Sequence, residues 1–154
     1  MATIRRASFG DVDVVIKLSK QLFAELGHPF PFSENDRLIS FCKNLLKNKD
    51  YIVFLSFDSQ NSACGMITLS EALSIYAGGN FGVIREFYVI PEMRSSGIGK
   101  ALLNAAKEFG RSKGWMRIEV TPPHKDNWTR TYNFYQREGF IEIGPRLKLE
   151  IRER

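Results

Sequence analysis

The chain has 154 residues, 44% hydrophobic and 25% charged, with a formal net charge of +5. This balance suits one globular domain over residues 1–154, and no apolar run is long enough to span a bilayer. The opening MATIRR lacks the apolar core of a secretion signal, and the scattered basic residues read as a solvated surface rather than a nucleic-acid footprint, so a cytoplasmic protein without a nucleic-acid or membrane partner is expected.

Residues 3–7 read as a short first strand. A helix follows from Asp11 to about Leu26, with Val15, Ser19, Leu22 and Leu26 on one face, widened by Leu18 and Phe23. Residues 27–32, GHPFPF, break it because proline forbids continuation. Ser33 caps a second helix, with Glu34 and Asp36 in its first turn and Leu38, Phe41, Cys42, Leu45 and Leu46 as its buried stripe. Cys42 and Cys64, the only cysteines, have apolar neighbours and read as buried free thiols; two cysteines at this spacing make no metal site.

Residues 51–57 predict a strand, 58–62 a turn and 64–69 its hairpin partner. Residues 71–80 read as a loop or frayed strand end, and 81–90 as the next strand. The strongest helix runs over 97–113, with Ile98, Ala101, Leu102, Ala105, Ala106 and Phe109 at helical spacing and Gly114 at its end. A strand over 117–121 closes at Pro122-Pro123, a short helix runs over 127–138 to Gly139, and strands over 140–143 and 147–151 finish the chain. That order makes a mixed α/β sheet with helices on its faces, including a right-handed strand–helix–strand crossover over 81–121.

The stretch FYVIPEMRSSGIGK, residues 87–100, is an apolar strand, a proline, a two-glycine turn and a helix start. Free N–H groups at a helix N-terminus form a seat for phosphate, with each favourable charge contact contributing about 0.3–2 kcal/mol. A nucleotide P-loop is excluded because Ala101 follows Gly99-Lys100 and the first glycine is missing. A dinucleotide fingerprint fails at Leu102, where it needs glycine. There remain Arg-x-x-Gly-x-Gly around a bound anion, carried by Arg94, Gly97 and Gly99, and a ligand-free strand-to-helix turn.

The run VIPEMRSSGIGKALL, residues 89–103, resembles the acetyl-CoA motif of the GCN5-related N-acetyltransferases (GNAT). FYQREGF, residues 134–140, resembles the F-Y-x-x-x-G-F segment of the same family, in the right order and at the right distance. The likeness is good over about residues 81–144, and residues 27–48 match only in general layout. Ser96 departs from the glycine many members carry, but it still offers its N–H.

The resemblance implies a GNAT-like mixed, mostly antiparallel sheet of about seven strands, with a central splayed parallel pair and about four helices. It implies acetyl-CoA as cofactor. Backbone N–H groups of Arg94, Ser95, Ser96, Gly97, Ile98, Gly99 and Lys100 would hold its diphosphate. Phe87, Tyr88, Val89 and Ile90 would pair with its pantetheine arm, and an N–H near Val89 would polarise the thioester carbonyl. Phe134 and Tyr135 would lie at the cofactor. So would Asn127, one residue further from the Phe–Tyr pair than the asparagine many members carry.

The reaction implied is direct acetyl transfer to a primary amine in a ternary complex. A small-molecule acceptor is expected because no extra recognition domain is present. A peptide amine, or a catalytically silent CoA-binding sensor, is the alternative, and a homodimer is compatible with either.

Tyr135 is the candidate acid, which the resemblance places near the CoA sulfur: an ordinary phenol, of pKa about 10, is protonated at neutral pH, and the leaving thiolate belongs to a thiol of ordinary pKa about 8.5. The other reading is a packing aromatic. Glu86 is the candidate base and an acceptor contact, a carboxylate in an otherwise apolar strand; pairing with Arg85 or Arg117, or exposure at the sheet rim, is the alternative. His28, Glu119 and Thr121 are further acceptor-site candidates, and the loop with Tyr76 and Gly78-Gly79 a candidate lid.

Overall fold

The computed structural model describes residues 2–32, 34–123 and 128–152. Ser33 and Asn127, each given a place by the sequence reading, lie outside the described residues. The chain divides into two compact units, Met1–Val120 and Thr121–Arg154.

The first unit is a five-stranded sheet in the order β1 (Thr3–Arg6), β2 (Tyr51–Phe57), β3 (Ala63–Ser74), β4 (Gly79–Val89) and β5 (Ile118–Val120). Pairing is antiparallel except between β4 and β5, which are parallel. Among the described residues, three α-helices belong to this unit: α1 (Val12–Leu26), α2 (Asn35–Lys47) and α3 (Ile98–Lys113). Among the described residues, no helix is long and apolar enough to cross a membrane.

Strand alternation divides the core between two faces. Val53, Leu55 and Phe57 of β2, Met66 of β3 and Tyr88 of β4 pack with Val15 and Leu18 of α1. Phe54, one residue out of phase, meets Phe109 of α3 edge-on, with 6.2 Å between ring centroids. α2 adds Leu38 and Cys42, which pack with Val12 of α1. Both cysteines are buried free thiols. α3 ends as its sequence dictates: Gly114 takes the left-handed conformation at φ 73°, and its N–H and that of Trp115 return to Arg111 O and Gly110 O.

α1 is anchored at its start. Asp11 accepts two hydrogen bonds from the Arg5 guanidinium, at 2.8 and 2.9 Å, and others from the Ser8 N–H and hydroxyl. Chiefly because of the Arg5 bonds, the Asp11 carboxyl is held well below the usual carboxylate range, although burial opposes the shift.

Residues 71–80 are more regular than a loop. β3 runs to Ser74 and β4 starts at Gly79, with Ala72 opposite Phe81, because Ala72 packs on the buried cluster of Ala77, Phe81 and Val83.

In the second unit, α4 (Thr129–Arg137) ends in a turn where Gly139 N–H reaches Gln136 O and Phe140 N–H reaches Tyr135 O. The strands expected over 140–143 and 147–151 are absent among the described residues, so the sheet has five strands rather than about seven. The parallel pair therefore lies at one end of the strand order, not at its centre. Ile141, Ile143, Leu147, Leu149 and Ile151 alternate as a strand would but are exposed. Alternation alone makes no strand without a ladder to satisfy its backbone.

Candidate functional site

β4 carries a bulge. Thr68 of β3 faces Glu86, but the next residue, Leu69, faces Ile84, so Arg85 is the extra residue. Regular alternation would send Arg85 and Glu86 to opposite faces. The bulge brings both to the side of α1 and α2, where they line one hollow of about 300 Å³. Its other walls come from α1 (Val15, Ile16, Ser19, Phe23), the connection to α2 (Phe30, Pro31, Phe32), α2 itself (Leu38, Phe41, Cys42, Leu45, Leu46) and the sheet (Tyr51, Val53, Thr68).

Glu86 is half-buried and held in place. Its Oε1 accepts the Tyr51 hydroxyl at 2.5 Å and the Thr68 hydroxyl, while the Glu86 N–H donates to Thr68 Oγ1 at 2.9 Å. Burial, and then the charge of Glu86, push the Tyr51 phenol far above the ordinary tyrosine range, so it stays protonated and donates. The same two causes push the Cys42 thiol up. The sequence reading missed Tyr51 and Thr68. Thr68 had a signal, as a lone hydroxyl in an apolar strand, but its partner follows only from the register.

On the other edge of β4, pairing with β5 covers only Gly82, Val83 and Ile84, opposite Ile118, Glu119 and Val120. β5 ends there, while β4 continues to Val89. Ile90 N–H turns toward β3, to Cys64 O at 2.9 Å, so alternation turns the Val89 amide to the opposite edge. This is where the sequence reading placed a splayed slot.

A turn and α3 follow directly. Ser95 and Gly97 take left-handed conformations at φ 65° and 86°, and alternation of this kind points successive N–H groups into a common concavity. The first intrahelical bond runs from Ala101 N–H to Gly97 O at 3.0 Å. The N–H groups of Ile98, Gly99 and Lys100 precede that ladder, and no side chain caps the helix. The turn fits an anion such as a diphosphate. The Arg94 side chain is engaged elsewhere: it forms a two-pronged pair with Glu25 of α1 at 2.8 and 2.6 Å and donates from Nε to Val89 O at 2.9 Å. Arg94 thus ties the turn to α1 and to the strand end.

The remaining candidates are dispersed. His28 is exposed just past α1 and does not line the hollow, although Phe30, Pro31 and Phe32 do. Glu119 Oε2 accepts Arg117 Nε at 2.9 Å and the Tyr76 hydroxyl at 2.8 Å. In the second unit, the exposed Thr121 accepts Arg146 Nη1 at 2.9 Å. Tyr135 is buried, with the Phe134 and Phe140 rings 5.6 and 5.3 Å from its own, and burial raises its phenol well above the ordinary tyrosine range.

A model of the acetyltransferase (GNAT) family matches residues 16–140. Among curated proteins the chain is similar to an uncharacterised N-acetyltransferase, YhfO, of Bacillus subtilis strain 168, at 22% identity over 103 residues and 67% of each chain. Among solved structures it resembles a predicted acetyltransferase from Clostridium acetobutylicum crystallised with acetyl-CoA, with TM-score 0.81, 17% identity and coverage of 98% of this chain and 97% of that one. It also resembles the aminoglycoside acetyltransferase meta-AAC0020 from an uncultured soil metagenomic sample, in complex with sisomicin, with TM-score 0.79, 21% identity and coverage of 98% and 97%. At these identities the structural likeness is one of fold.

Proposed function

This chain belongs to the acetyltransferase (GNAT) family, and we propose that it moves an acetyl group from acetyl-CoA to a primary amine of a small molecule, with both substrates bound together. The observation that carries the reading is the adjacency on β4 of three features: an edge that outruns β5, an uncapped left-handed turn at the start of α3, and a fixed carboxylate facing a hollow.

When bound, acetyl-CoA supplies an acetyl group on a thioester; an amide C–N bond forms as the C–S bond breaks, one proton leaving the amine and one reaching sulfur. In the proposal, the N–H groups of Ile98, Gly99 and Lys100 hold the diphosphate, joined by those of Ser95, Ser96 and Gly97; the Arg94 N–H, expected among them from the sequence, is instead taken by Pro91 O at 3.3 Å in the turn after β4. The β4 edge over Phe87, Tyr88, Val89 and Ile90 orients the pantetheine arm, and the Val89 amide donates to the carbonyl oxygen as charge develops there. Glu86, freed from solvent on one side and fixed by Tyr51 and Thr68, takes the amine proton directly or through water.

Tyr135 is the proposed proton donor to sulfur. Burial raises its pKa, which keeps the hydroxyl protonated across the ordinary assay range and at the same time weakens it as an acid toward a thiolate. The reaction is assigned to the cytoplasm, where buried free thiols persist.

The test is thiol release from acetyl-CoA against a panel of amines, with cofactor binding measured separately by calorimetry. Amine-dependent release is expected, and Tyr135→Phe should lower kcat by about 100-fold with little change in acetyl-CoA affinity. Acetyl-CoA binding without turnover of any amine would favour a sensor instead. Absence of acetyl-CoA binding would end both readings.

A further inference from the structure

Among the described residues, the walls of the hollow carry formal charge at two lining positions, Glu86 and Arg85, of opposite sign. Glu86 Oε1 is occupied by the Tyr51 and Thr68 hydroxyls, and Oε2 takes no hydrogen bond from the described residues. The site thus offers one carboxylate oxygen in one fixed place. The opposite wall is aromatic: Phe23 and Phe30 lie 5.4 Å apart, Phe30 and Phe32 6.3 Å, and Phe32 and Phe41 5.1 Å between ring centroids.

We infer, on the premise of the acetyltransferase reading, that the acceptor is a small monoamine: a single primary ammonium on an aromatic or branched aliphatic body. One ammonium at Glu86 Oε2 balances the carboxylate. A second cation on the same molecule would face an apolar ring or the Arg85 guanidinium without a counter-charge, and a desolvated unpaired charge is strongly disfavoured. An apolar body instead buries its surface against the four phenylalanines. A hollow of about 300 Å³ is at the small end of ligand sites and suits such a molecule better than an aminoglycoside. The likeness of fold to a sisomicin-bound acetyltransferase therefore does not extend to the acceptor.

The experiment compares kcat/KM with acetyl-CoA for 2-phenylethylamine, isoamylamine, spermidine, kanamycin and an alanyl peptide. The two apolar monoamines are expected to exceed the polycations and the peptide by about 100-fold or more. A polycation or the peptide matching them would overturn the inference while leaving the acetyltransferase reading in place.

Phe41→Glu adds a carboxylate to the wall at a position already 46% exposed, so the core is spared. It should raise the spermidine-to-phenylethylamine ratio about tenfold; an unchanged ratio counts against the inference. If no amine is turned over, the acetyltransferase reading fails separately, and saturation-transfer NMR decides the pocket. Binding of 2-phenylethylamine at millimolar concentration, lost in Glu86→Gln, supports the monoamine site; no binding to the wild-type protein overturns it.

Discussion

The two faces of the sheet are packed to opposite ends. On the α3 side a large ring is fitted into a gap made for it. Trp115 lies over Gly82 and Gly110, where a methyl group would come within 2.2 Å and 2.8 Å of its ring atoms, and its indole N–H donates to Glu71. Phe109 packs edge-on against the same ring at 5.4 Å. On the α1 and α2 side, four phenylalanines surround a hollow and leave it unfilled. β4 serves both, with Gly82 beneath Trp115 and Glu86 beneath the hollow. The filled face gains dispersion and burial at interior density; the hollow face forgoes some of that packing and keeps space for a ligand.

Substitutions on the two faces should therefore separate stability from activity. The largest effect is expected for Glu86→Gln, which keeps the shape of the side chain and removes its charge. Activity should fall about 100- to 10,000-fold while the melting temperature stays near that of the wild type. A large loss of stability with unchanged turnover would make Glu86 a structural carboxylate and erase the contrast.

Gly82→Ala should do the reverse. Its Cβ would collide with the Trp115 ring, and overpacking of this kind costs about 1–3 kcal/mol, readable by denaturant unfolding, with turnover per folded molecule little changed.

Asp11→Asn tests the anchor of α1, which roofs the hollow. It should cost about 1–2 kcal/mol near neutral pH, discounted because Arg5 is half-exposed. The sign follows from a carboxyl pKa depressed on folding: its contribution is present above the unfolded value near 4 and is lost as pH falls through the lower folded value. The gap between wild type and variant should then close in acid, and a gap independent of pH would remove Arg5 as its cause.

The smallest effect on stability is expected for Gly97→Ala. No atom lies within 4 Å of the added methyl, so only the left-handed backbone at φ 86° resists it, at about 1 kcal/mol. Acetyl-CoA affinity should fall as well, because the same turn aims the N–H groups of α3. Unchanged affinity would detach the diphosphate from this turn.

Much of this was legible along the chain. The apolar spacing of α1 and α3, the glycine after each, and the order of strand, turn and helix over 87–100 follow from local rules of backbone and periodicity. The stripe expected on α2 was less exact. Leu38 and Cys42 are buried, but Phe41 is 46% exposed, because it lines the open hollow rather than the core. The partner of Arg94 was also out of reach, since Glu25 is 69 residues away in sequence.

The sequence by itself determined the four α-helices and the cores of the five strands among the described residues, and where a backbone turn could receive an anion, because such choices depend on neighbours within a few residues. Only the tertiary structure decided that a bulge turns Arg85 and Glu86 to the same side, that Tyr51 and Thr68 fix one oxygen of that carboxylate, and that the space before it stays open. Register, and the volume left between packed elements, are set by contacts between distant residues, which no local pattern encodes.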